Sequence, residues 1–279
     1  ALMTIVYLVL AKSFLSLNTA NKGIKKSTRP QKEMSVNSVN KALFKKELKR
    51  FTGSATYMMN CGLGTIGLLA AAVAVMIKGA YLRNTLITML EGYEGYIGIM
   101  IFAVLCFTST MNDLTAPSVS LEGKSIWIAQ TLPVSPWHIL RSKINMHLAL
   151  TGIPLIICAV AVNIAMKSSV TISILSTLGG VLFMCFVALF GLILNLKLPN
   201  LNWQSETIAV KQSMSVMISL FGSWAVAGVL IVPALLIETP LSPSVYLTVV
   251  IAILCIMVYF MYAWLKTKGA GIFSHLTPQ

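Results

Sequence analysis

The chain has 279 residues, 57% of them hydrophobic and only 10% charged, yet its net charge is +13. No ordinary soluble domain tolerates so much apolar surface, so lipid is the solvent for most of this sequence. The expected fold class is all-α, a polytopic bundle of transmembrane helices.

Ala1 to Ala11 is an apolar run too short to cross about 30 Å of hydrocarbon at about 1.5 Å per residue. Lys12 follows that run, where a signal peptide would place its basic residues first, and no small-residue cleavage site is clear. Residues 1–16 therefore read as a truncated transmembrane helix, and 17–57 as a basic loop. Within the loop, Asn18 to Val39 is polar, carries Gly23 and Pro30, and reads as a flexible linker. From Ala42 to Phe51 the apolar residues Phe44, Leu48 and Phe51 recur at helical spacing, while Lys45, Lys46, Lys49 and Arg50 fill the remaining surface beside Glu47. That pattern predicts a helix lying in the membrane interface. Anionic headgroups are the nearest partner for its charge, so no nucleic acid is needed to explain it.

Residues 58–279 read as one membrane domain of six full spans. The apolar runs lie near Met58 to Ile77, Gly95 to Met111, Asn145 to Met166, Val170 to Leu196, Met214 to Ile237 and Ser244 to Leu265. Cys61, Cys106, Cys158, Cys185 and Cys255 fall inside these runs without C-x-x-C spacing or clustered His, as packing residues do. Neither a metal site nor a cofactor is expected. Eighteen of the 21 Lys and Arg residues fall on one side of the alternating loops, leaving Lys78, Arg83 and Lys167 on the other. The bias puts the C-terminus and the long polar loops in the cytoplasm. No Asp, Glu, Lys, Arg or His lies deep in a span, His147 being near a span's cytoplasmic end. This argues against proton or sodium coupling. Pro154 and Pro233 are expected to kink their helices, and Gly67 with Ala71, or Ser219 with Ser223, to allow close helix approach.

Asp113 to Lys143 is long for a connection. Glu122 to Thr131 predicts a short amphipathic helix with Ile126, Trp127 and Gln130 adjacent on one side, stopped by Pro133. Ser135 is placed to cap the next helix, with Pro136 at its first position. Gly123, Lys124 and Ser125 hint at a phosphate loop, but Ser118 stands where its first glycine belongs and no strand precedes it.

Three passages resemble the type-2 ATP-binding-cassette exporter permeases, specifically a bacterial putative exporter branch. The first is Lys46, Glu47, Leu48, Lys49 and Arg50, followed by Tyr57 and Asn60. The second is Glu122, Gly123, Lys124, Trp127, Leu132, Pro133, Val134, Ser135 and Lys143. The third is Asn195, Leu196, Pro199, Leu201, Asn202, Trp203, Glu206, Val210, Lys211, Gln212 and Ser213. Leu121 and Gln130 stand where that branch commonly carries Arg and Lys. The resemblance implies a permease subunit, not itself an enzyme, in the bacterial plasma membrane. It implies coupling to a separate cytoplasmic ATPase through 113–143 and 197–213, and a preceding membrane half or second copy as partner. The coupling residues expected on that basis are Glu122, Gly123, Lys124, Trp127, Leu132, Pro133, Ser135, Lys143, Asn202, Trp203, Glu206 and Lys211, beside the interfacial helix. The competing reading is a membrane scaffold or sensor subunit that binds a cytoplasmic partner and moves nothing. An intramembrane enzyme ranks last, without H-E-x-x-H or a deep acidic pair.

Overall fold

Lipid forces each crossing segment to satisfy its own backbone, and a helix is how a single segment does so. The computed structural model describes residues 38–89, 96–236 and 242–278, and all its regular elements are helical. The expected truncated span and most of the linker lie outside the described residues. In chain order the helices are α1 (Val39–Gly53), α2 (Ala55–Cys61), α3 (Leu63–Met89), α4 (Ile97–Thr110), α5 (Ile126–Gln130), α6 (Pro136–Met166), α7 (Val170–Lys197), α8 (Glu206–Lys211), α9 (Met214–Leu236), α10 (Pro243–Trp264) and α11 (Ala270–Ser274). A 3₁₀ turn, Ser120–Ser125, precedes α5, and a π turn, Leu265–Gly269, joins α10 to α11.

Five stretches are long and apolar enough to cross a membrane: Leu63–Met89, Pro136–Met166, Val170–Lys197, Glu206–Ala234 and Pro243–Ser274. The chain is thus a multi-pass helical membrane protein. The expected second span is shorter among the described residues, since the 14 residues of α4 rise only about 21 Å. The first expected span is displaced. Ser54 caps α2 by accepting from the Tyr57 N–H at 3.1 Å, and the helix pauses at Gly62 before α3 runs on to Met89. The third apolar run, from Asn145, is the inner part of a helix that starts nine residues earlier, at Pro136 behind Ser135, as that Ser–Pro pair predicts. Its polar opening turns are covered by protein instead of lipid, so hydropathy alone missed them.

α7 is the central post, with more than half of its most apolar 18 residues buried. On one flank Phe183, Phe186 and Val187 meet Ile99 and Phe102 of α4, Ala227 and Leu230 of α9, and Leu247, Val250 and Leu254 of α10. On the other, Met184 joins Leu105, Leu155, Cys158, Ala159 and Leu68. α6 and α9 continue through Pro154 and Pro233. Gly67 and Ala71 face outward, with nothing within 4 Å of the Cβ position at Gly67. The close approach of α3 is one face over: a Cβ on Gly79 would lie 2.6 Å from that of Ala165. Ser219 and Ser223 are buried.

Candidate functional site

The expected coupling residues gather at the end of the bundle where α1, the 112–135 connection, the start of α6 and the 198–213 connection meet. Lys143, on the second turn of α6, is fully buried. Its ammonium donates at 3.0 Å to each of three acceptors: Glu47 Oε2, Glu122 Oε1 and the Ser118 carbonyl. All three of its N–H bonds are therefore used. Glu122 Oε1 also faces Arg50 at 2.7 Å and Lys46 at 3.1 Å. Two buried carboxylates and three cations thereby lock α1 to the connection and to α6. Burial alone would raise the Glu122 pKa, but Lys143, Arg50 and Lys46 outweigh it and hold that carboxyl well below the usual carboxylate range. Burial also disfavours charge on Arg50, which Glu122 and Glu47 more than offset.

The spacing of α1 therefore misleads about its inner face. The residues it buries are Leu43, Glu47 and Phe51, with Phe44 and Leu48 half-buried at the sides. A carboxylate occupies the centre of that face because Lys143 is there to meet it. Likewise Glu122 pairs with Lys143, 21 residues on, and not with its neighbour Lys124, which is exposed.

Irregular backbone at 112–123 is almost wholly buried and needs its polar groups satisfied. Asp113 Oδ1 accepts from the Thr115 N–H at 3.0 Å, the Thr115 hydroxyl at 2.8 Å and the Ala116 N–H at 3.0 Å. Its other oxygen accepts from Ser219. Gly191 lets this carboxylate sit against α7, for a Cβ there would lie 2.5 Å from Asp113 Oδ2. Asn195 is the second clamp. Its carbonyl accepts from the N–H groups of Val119 and Ser120 at 2.7 and 3.0 Å, and its amide donates to Ser120 and Ser215 hydroxyls at 2.7 and 2.9 Å. The Trp203 indole N–H donates to the Ser120 carbonyl at 2.7 Å, and Ser54 donates to Glu206.

Gly123 turns the chain between the 3₁₀ segment and α5 at φ 55, ψ −142, a region open essentially to glycine. A Cβ there would also stand 3.1 Å from the Trp203 ring. This turn is why the expected helix from Glu122 starts only at Ile126. Ile126 and Gln130 then face inward and Trp127 outward at 60% exposure, with Ile128 at 50%. Gln130, in place of the Lys common to the resembling branch, donates at 2.8 Å to the Phe273 and Leu276 carbonyls. Phe273 is fully buried beside Ile126, Ala129 and Leu140, so the tail pins α5. Gly123→Ala is expected to lower stability by about 1–3 kcal/mol, read as a reduced unfolding temperature in detergent. Full stability in that variant would mean the turn is not strained.

Glu122 also gives a pH dependence. A carboxylate whose folded pKa is depressed contributes stability that is complete above its unfolded value, about 4.3, and is lost as pH falls toward the depressed value. The unfolding temperature should therefore drop between pH 5 and pH 3, and the drop should shrink in Glu122→Gln. Parallel curves for the two proteins would contradict the assignment.

The expected residues thus divide in two. Glu47, Phe51, Glu122, Gly123 and Lys143 are buried, with Lys46, Leu132 and Trp203 half-buried, and these build the body. Lys124, Trp127, Pro133, Ser135, Asn202, Glu206 and Lys211 are exposed on it. Sequence reasoning left out Asp113, Ser118, Ser120 and Gln130. The legible hint was Asp113, an acid two residues past the end of an apolar run. Among the described residues no three His, Cys, Asp or Glu side chains gather as a metal would require. The Ser135 hydroxyl lies 2.6 Å from His138 Nδ1 on the exposed side of this end. No protein-family model, curated protein or solved structure matches the chain.

Proposed function

We propose that this chain is the membrane-spanning permease subunit of an ATP-binding-cassette exporter in the bacterial plasma membrane. It has six full spans, its C-terminus is cytoplasmic, and it works with a separate cytoplasmic ATPase and a second permease half or copy. One observation carries the reading. Three passages far apart in sequence converge on one hydrogen-bonded body, and that body displays Trp127 and Ile128 at its surface. A push on α5 would pass through Gly123, Glu122 and Lys143 into α6 with little slack, because each contact is buried and saturated. A tether would need none of these.

Gly123 to Ser125 supplies no ATP site, since the residues form a 3₁₀ turn packed on Trp203 and not a strand-to-helix loop. The purified chain should hydrolyse no ATP alone and should copurify in mild detergent with a polypeptide carrying a phosphate-binding loop. A Ser274→Cys variant should resist an impermeant thiol reagent in intact cells while Ser169→Cys reacts. ATP hydrolysis by the isolated chain, or the reverse labelling, would overturn the reading.

A further inference from the structure

At the opposite end of the bundle, a groove of about 580 Å³ runs between the last turns of α6 and the first turns of α7. Ile156, Val160 and Ile164 form one wall and Ile174, Leu178 and Val181 the other. The lining spans residues 156 to 167 on α6 and 170 to 181 on α7. Eleven rises of about 1.5 Å along these twelve residues give about 16 Å, half of a hydrocarbon core about 30 Å thick. The groove is one leaflet deep.

Its chemistry changes along that depth. The walls are mainly aliphatic, with Asn163 donating to Thr177 at 3.5 Å part-way down, whereas the mouth carries Lys167, Ser168 and Ser173. Lys167 is the only described non-glycine residue with positive φ, at 52, where helix ends usually place Gly or Asn. Its ammonium is exposed, and the Ser168 hydroxyl is buried with no hydrogen-bond partner. A second cation stands on the same turn, because Arg83 of α3 donates from Nε to the Met166 carbonyl at 3.2 Å. The described acidic residues, Glu47, Asp113, Glu122 and Glu206, all belong to the other end of the bundle.

We propose that this groove is a binding site for an anionic phospholipid, with one acyl chain along the aliphatic walls and the headgroup phosphate at Lys167 and Arg83. Charge complementarity and depth select this occupant. An apolar transmembrane helix from a partner would match the walls but leave both cations unanswered, and a free phosphate would leave the walls bare. The proposal needs no ATPase and stands apart from the reading above.

The test uses the full chain in vesicles with tryptophan reporters, the parent protein's own tryptophan signal being subtracted. Ile174→Trp reports from the groove wall, and Ile153→Trp from one turn deeper on α6, leaving the groove open. Brominated phosphatidylglycerol should half-quench both reporters at a mole fraction about fivefold lower than brominated phosphatidylcholine of equal chain length, the preference that about one cation near a phosphate confers. Lys167→Asn keeps a residue suited to positive φ and should bring the two quenching curves together. Coincident curves in the reporter proteins, or a phosphatidylglycerol preference that survives Lys167→Asn, would overturn the proposal.

Discussion

Lys143→Met is expected to destabilise the folded protein by about 3–5 kcal/mol, the usual consequence of removing one partner from a buried ion pair. The ammonium it deletes is the shared donor to Glu47, Glu122 and Ser118. Without it the cation nearest Glu47 is Lys46, at 3.6 Å, with Arg50 acting on it from farther off. Glu122 keeps the half-buried Lys46 and Arg50. The loss should appear as low yield of inserted protein and a sharply lower unfolding temperature. Combining Lys143→Met with Glu47→Gln and Glu122→Gln should recover much of it, since the damage lies in stranded charge and not in lost attraction. A single variant within about 1 kcal/mol of the parent would show that the network does not hold α1 to α6.

On the proposed coupling, Trp127→Ala should weaken association with the proposed ATPase partner by about 2 kcal/mol, a loss typical of an anchor that fills a partner's pocket, equivalent to about thirtyfold in affinity. The expectation rests on position: Ile126 and Ala129 hold α5 in the core while Trp127 points away from it. Truncation should therefore leave the fold intact, so that insertion and unfolding temperature stay at parental values. Normal copurification of the ATPase with Trp127→Ala would assign the ring to the lipid headgroups instead, as an interfacial anchor.

The helical class and most of the crossing segments were legible because lipid imposes a composition that hydropathy reads directly. The ends of those segments were not legible in hydropathy. The start of α6 at Pro136 was readable in the Ser135–Pro136 pair but not in the apolar run, because its polar first turns are hidden by α1 and α11, contacts that no hydropathy window reports. The same limit governed the site. Glu47 and Lys143 look in sequence like solvated surface charges, and only the packing of α1 across α6 makes them a buried pair. Glu122 and Lys124 are near neighbours in sequence, yet Gly123 reverses the chain between them and sends one inward and the other out. Asn195 sits inside an apolar run, where hydropathy counts it as a minor blemish. Its four hydrogen bonds become visible only when the buried connection it clamps is in place.

The coupling claim is tested most directly by placing a photoreactive benzoylphenylalanine at position 127 in the intact membrane and identifying what it captures. The account predicts an adduct with a polypeptide that carries a phosphate-binding loop, diminished when the ATPase is depleted. Adducts with lipid alone, from a protein present at normal levels, would contradict it.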